Sequence, residues 1–177
     1  MGISGSLVCH MPLSLLYTSV DAIKMGFDID LVDVRLDPNG WRESIAEKMT
    51  PDTLILGISV MTGAPIRNAL DISRWAKQEF PNVKIVWGGP HATFNGEGIF
   101  IEPTVDYVIA GYGSEPLANL AKHLRGDADA PPLSSISGLM FRNDGGLAVV
   151  PPLNEFEFMD YREIPYWLVE GDLDKYG

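Results

Sequence analysis

Three stretches of the 177-residue chain put small and polar residues where a strand pattern stops. Thr53-Leu54-Ile55-Leu56-Gly57-Ile58-Ser59 runs into Val60-Met61-Thr62-Gly63. Val83-Lys84-Ile85-Val86-Trp87 runs into Gly88-Gly89-Pro90-His91-Ala92-Thr93, and Val105 to Ala110 runs into Gly111-Tyr112-Gly113-Ser114-Glu115. These residue types suit noncovalent capture of a ligand. The hydroxyls of Ser59 and Thr62 can hydrogen-bond a ligand or cap the next helix. Gly88-Gly89 lets a flat, bulky group lie against the backbone, with a tight turn as the plainer use. His91 stands where a histidine can ligate, donate a hydrogen bond to a ligand, or bond nearby backbone. His10 and His123 read as incidental.

Catalytic patterns are missing. The chain has no Ser/His/Asp order, no paired catalytic carboxylates and no metal-ligand spacing. Gly-x-Gly-x-x-Gly does not occur, and Ser59 stands where a phosphoacceptor receiver would need an aspartate. The residues therefore argue a binding domain, not a self-sufficient catalyst.

The elements that must hold these junctions follow from periodicity and punctuation. Met11 to Met25 predicts a helix with Pro12 near its start, Leu13, Leu16, Val20 and Ile23 on one face, and Gly26 as its stop. Asp28 to Val34 alternates like a strand, and Trp41 to Met49 reads as a short helix. Thr53 to Ser59 has the continuous apolar run of a strand buried on both faces. Pro65 opens a helix to about Phe80, burying Ile66, Ala69, Leu70, Ser73, Ala76 and Phe80. Strands follow at Val83 to Trp87 and Val105 to Ala110, with one helical turn between them within Phe94 to Glu102. Ser114 is placed to cap a helix through Leu124, which Gly126 ends. Asn143-Asp144-Gly145 between Ser137 to Arg142 and Gly146 to Val150 signals a hairpin.

Strand and helix alternating at roughly 25-residue spacing predicts βαβ units. The expected fold is α/β: a flavodoxin-like, Rossmann-like parallel sheet sandwiched by helices, with a C-terminal β-hairpin and an extended tail. Residues 1–126 are expected to form the α/β domain, and residues 127–177 a linker, the hairpin and the tail. The first strand is not plainly present: either Ser6 to Cys9 supplies it, or the chain begins inside a larger domain. The carboxyl ends of parallel strands form a ligand crevice in such sheets.

Composition narrows the partners. Hydrophobic residues make up 46%, enough for a packed core. With 13 basic against 24 acidic residues and a net charge of −11, nucleic acid and anionic membranes are poor partners. Cys9 is the one cysteine, which leaves no disulfide and no cysteine cluster within the chain. No apolar run reaches about 18 residues and no secretory leader is visible, so the expected compartment is the cytoplasm.

Ser59-Val60-Met61-Thr62, Gly88-Gly89-Pro90-His91-Ala92-Thr93 and Asp106 to Leu117 together resemble the N-terminal cobalamin-binding domain of cobalamin-dependent radical SAM proteins. The anaerobic magnesium-protoporphyrin monomethyl ester cyclase group and related methyltransferases belong to that family. The similarity covers about Met11 to Val150, and residues 127–177, with the hairpin and the proline-containing tail, resemble that family's lead-in to its radical SAM domain. The resemblance implies that cobalamin lays its nucleotide tail between the third and fourth strands, lined by Ser59, Thr62, Gly88 and Gly89. Gly111, Tyr112, Gly113 and Glu115 close the other side, and Val60, Met61, Pro90 and His91 complete the candidate lining. The corrin would face a radical SAM domain joined in cis, which alone would carry S-adenosylmethionine and an iron–sulfur cluster, since Cys-x-x-x-Cys-x-x-Cys is missing here.

Two further departures carry meaning. Tyr112 replaces the family's usual Glu. Asp-x-His-x-x-Gly is missing, which implies no cobalt ligand from this domain. Tyr112 and the weak first strand support a rival: a cofactor-free interaction or regulatory domain of the same fold. A flavin-binding flavodoxin would need a Ser/Thr-rich phosphate loop, for which only Ser4 and Ser6 are available. Finally, Pro151 to Gly177 sets aromatics among acids, and is expected to pack across the sheet domain or a neighbouring molecule and to promote self-association.

Overall fold

A computed structural model describes residues 9–153 and 161–177. Its sheet is built from β1 (Ile55–Ser59), β2 (Lys84–Gly88), β3 (Tyr107–Ile109), β4 (Leu139–Asn143) and β5 (Gly146–Val149), in that spatial order. The first three strands are parallel, with Ser59 opposite Gly88 and Trp87 opposite Val108. The β4–β5 hairpin turns at Asp144-Gly145 and adds antiparallel to β3, pairing Ile109 with Leu139. Arg142 fastens it by donating to the Val105 and Phe100 carbonyls at 2.8 and 2.7 Å.

Parallel strands demand crossovers, and helices supply them. The described α-helices are α1 (Leu13–Lys24), α2 (Trp41–Ala46), α3 (Pro65–Glu79), α4 (Pro90–Ile99) and α5 (Ser114–Arg125). Alternation along each strand divides the core in two. Ile85, Trp87, Val108 and Ala110 meet Ala69 and Ala76 of α3 and Ala92 of α4. Val86, Ile109 and Leu139 face the other way, against Leu120 of α5. Small alanines on the helices let them approach the bulkier strand residues. Among the described residues no helix is long and apolar enough to cross a membrane.

Most expected elements form, with corrections. Asp28 to Val34 is not a strand. An extended segment becomes a strand by pairing, and no described strand lies beside it; its expected neighbour, Ser6 to Cys9, falls almost wholly outside the described residues. Thr53 to Ser59 is not buried on both faces, because Gly57 and Ser59 are exposed. The helix after Gly88-Gly89 is longer than one turn. It starts at Pro90, whose fixed φ suits a first helical position, and kinks at Asn95. Ile72 is buried on α3, while Ile66, Leu70 and Phe80 are only partly so. Gly113, not Ser114, precedes α5; the Ser114 hydroxyl instead accepts from the Asp21 N–H of α1 at 3.2 Å. Gly126 ends α5 in the left-handed region, as expected.

The tail docks on the domain. Ile164 and Val169 bury against Leu16 of α1, with Leu31 and Tyr176 beside them. The Lys24 ammonium meets the Glu163 carboxylate at 2.8 Å, and the Tyr176 hydroxyl reaches Asp33 at 3.3 Å. The aromatics at 156 and 158 lie outside the described residues.

Candidate functional site

The site is assembled where β1, β2 and β3 end. The Val60 N–H donates to the Gly88 carbonyl, and the Val60 carbonyl accepts from the His91 N–H, both at 2.9 Å. These bonds stitch the β1 end to the start of α4. Gly89 makes the turn between them at φ +88°, where L side chains are strained.

Thr93 joins this turn to the third junction. Its hydroxyl donates to the Gly89 carbonyl and accepts from the Gly111 N–H, each at 3.0 Å. The result is a cleft of about 340 Å³ lined by Gly89, Pro90, Thr93, Phe94, Gly111 and Tyr112. Phe94 is 82% exposed and Tyr112 68%. Large apolar surface left uncovered at strand ends points to something that covers it.

Beside the cleft lies an open strip of the sheet. Gly57 and Ser59 point to the same face of β1, and Gly88 sits opposite Ser59. A Cβ built on Gly57 meets nothing within 4 Å, and one on Gly88 first meets the Ile109 carbonyl oxygen at 3.9 Å. Gly88 therefore leaves room on the sheet face. Gly89 does not, since its Cβ would strike Ser59 and Val60. Of the paired glycines expected to admit a ligand, Gly89 instead serves the tight turn, and a side chain there would disturb the turn itself.

The remaining predicted residues distribute as follows. Val60 is wholly buried and contributes only backbone. Met61 and Thr62 are exposed on the β1–α3 loop. Gly113 and Glu115 flank the start of α5, where a carboxylate is favoured by the helix dipole. His91 turns away from the cleft. Its ring lines a separate groove of about 550 Å³ between α3 and α4, floored by Trp87 and walled by Ile66 and Leu70. Its Nδ1 lies 3.3 Å from the Thr62 Oγ1.

Residue-by-residue reading missed Thr93, Phe94 and Gly57. Thr93 had a signal: it stands four residues after Gly89, one helical turn, close enough to bond its carbonyl. Gly57 inside a strand pattern also marks a close approach.

The chemistry of the lining is consistent. It offers hydroxyls, main-chain amides, glycine surface and exposed aromatics. Among the described residues no group of three or more His, Cys, Asp or Glu could hold a metal ion. Such a surface fits a large, mostly neutral ligand with amide edges that brings its own metal, as cobalamin does.

The family model of the B12 binding domain matches residues 6–121. The anaerobic magnesium-protoporphyrin IX monomethyl ester cyclase of Synechocystis sp. is 30% identical over 171 residues, 94% of this chain and 33% of that protein. An uncharacterized methyltransferase of Pyrococcus horikoshii is 30% identical over 169 residues, 93% of this chain and 35% of that protein. The chain thus spans about a third of the length of these relatives. Two solved structures share the fold. The radical S-adenosylmethionine methyltransferase TsrM from Kitasatospora setae, with cobalamin and a 4Fe-4S cluster bound, superposes with a TM-score of 0.67 at 18% identity, covering 86% of this chain and 28% of its own. The cobalamin-dependent S-adenosylmethionine radical enzyme OxsB, with aqua-cobalamin and S-adenosylmethionine bound, gives 0.66 at 17% identity, covering 89% of this chain and 21% of its own. With two thirds of its length matched by the family model, and with glycines and hydroxyls at the ends of its parallel strands, the chain belongs to the B12-binding domain family.

Proposed function

We propose that this chain holds cobalamin over the ends of β1, β2 and β3 for a larger radical S-adenosylmethionine enzyme. Methyl transfer or oxidative cyclisation would be carried out with a C-terminal domain joined in cis, which would hold S-adenosylmethionine and an iron–sulfur cluster. In this reading residues 1–126 carry the cofactor and residues 127–177 lead toward that domain. The observation that carries the reading is the open strip of Gly57, Ser59 and Gly88 beside an uncovered apolar rim.

Each residue then has a task. Gly57 and Gly88 admit the nucleotide tail against the sheet. The Ser59 hydroxyl offers it a hydrogen bond. Met61, Phe94 and Tyr112 shield the corrin edge from water. Gly111 and Gly113, with Glu115 behind them, bound the far side. Bound there, cobalamin supplies cobalt-centred chemistry; this chain binds it, orients it and excludes solvent.

Mixing the chain with hydroxocobalamin and recording the visible spectrum after gel filtration tests the proposal. Co-elution of the corrin bands is expected, and their loss in Gly88→Val, with an unchanged far-UV spectrum, locates the ligand. Passage of the chain without colour would overturn it and leave a cofactor-free interaction domain of the same fold.

A further inference from the structure

Val60 and Pro65 anchor the two ends of the β1–α3 loop. Val60 does so through main-chain bonds to Gly88 and His91, which any residue but proline at position 91 keeps. Pro65 does so by opening α3. Met61, Thr62 and Gly63 between them are exposed, and a Cβ on Gly63 would meet nothing within 4 Å. Packing therefore does not fix this part of the loop. What reaches it is the His91 ring, whose Nδ1 lies 3.3 Å from the Thr62 Oγ1. The ring is itself held: it lines the groove over Trp87, and the Asn95 Nδ2 stands 3.5 Å from the same nitrogen. Asn95 is where α4 kinks, at φ −134° and ψ 21°.

We propose that His91 is a positioning residue, acting on the cobalamin-bearing end through Thr62 without touching the ligand. This rests on the cobalamin reading above. A binding loop set on strand ends works only if a supporting shell holds its side chains in place. His91 provides that support from the far side of the loop, fixing where Met61 and Thr62 stand beside the strip. One hydrogen bond of this kind shifts a local equilibrium by about three- to tenfold.

A double-mutant cycle with His91→Ala, Thr62→Val and both together tests this, read in two ways. Without cobalamin, backbone order parameters at residues 61–63 are expected to fall from the rigid range near about 0.85 toward about 0.6 in each single variant, and no further in the double. With hydroxocobalamin, the dissociation constant is expected to rise about three- to tenfold in each single variant and by no more in the double. The visible circular dichroism of the bound corrin should change as its seat loosens, and His91→Gln, which keeps an acceptor, should restore it. Unchanged order parameters in His91→Ala, or affinity losses that add, would overturn the proposal; additive losses would mean that His91 meets the ligand directly. If the unmodified chain takes up no cobalamin, the cofactor reading fails, and the order parameters still decide whether His91 holds the loop.

Discussion

A side chain on Gly89 would run into Ser59: a Cβ there would stand 2.9 Å from the Ser59 Oγ and 3.0 Å from the Val60 nitrogen. Gly89 also sits at φ +88°. The two neighbouring glycines therefore do different work. Gly89 closes the β2–α4 turn against the end of β1, and Gly88 leaves the sheet face open.

The first prediction separates them. Gly89→Ala should lower folding stability by about 1–3 kcal/mol, the usual cost of a strained backbone position. Gly88→Ala should stay within about 1 kcal/mol, the ordinary difference between the two residues in regular structure. Chemical denaturation of both variants is the measurement. Equal losses would show that the turn relaxes around a Cβ.

Glu102 yields a pH prediction. Burial opposes its charge, but the hydrogen bonds from Arg74 and Thr104 outweigh that and hold the carboxyl below its ordinary value of 4.5. A carboxyl depressed on folding stabilises the native state above the ordinary value, and that contribution is lost as pH falls through the lower folded value. Glu102→Gln should therefore be less stable than the parent at pH 7, with the gap closing in acid. Arg74 is half exposed, so added salt should narrow the gap only in part. Denaturation midpoints between pH 3 and 7 give the answer, and a constant gap would refute it.

A buried hydrogen bond yields the third. The Trp87 Nε1–H donates to the Ser73 hydroxyl at 2.9 Å, and both residues are essentially unexposed. Ser73→Ala should cost about 1–3 kcal/mol, because it strands a buried donor. Combining it with Trp87→Phe should cost less than the sum of the two, since the phenyl ring has nothing to strand. Additive losses in thermal melts would show that water reaches the indole.

The tail yields the fourth. Val169 and Ile164 bury against Leu16. Val169→Asp should undock residues 164–176, because an unpaired carboxylate does not stay in an apolar seat. Hydrogen exchange there should rise toward free-chain rates while β2 stays protected. Lys24→Ala should barely change it, since its ion pair with Glu163 is exposed. Protection in the Asp variant equal to the parent's would show that other contacts hold the tail.

Much of this protein is local and could be read from the chain. Pro65, Pro81, Gly126 and Asn143-Asp144-Gly145 act on their own neighbours, so α3, β2, the end of α5 and the hairpin turn were all legible. So were the glycines and hydroxyls at the strand ends, because an apolar run that stops on such residues looks the same before and after folding. Other features depend on what lies alongside. Asp28 to Val34 has strand character but no described strand beside it, and pairing is not written in the residues that would be paired. Only the assembled sheet shows that the hairpin adds to β3, or that the tail finds Leu16. The direction of His91 follows from the left-handed turn at Gly89 and the helix that starts at Pro90. Together these send its ring toward Thr62 and leave Thr93 to bridge Gly89 and Gly111. Which residues reach the strand ends is therefore a matter of local order along the chain; which of them face the open strip is a matter of the assembled backbone, because a side chain's direction depends on the backbone on both sides of it.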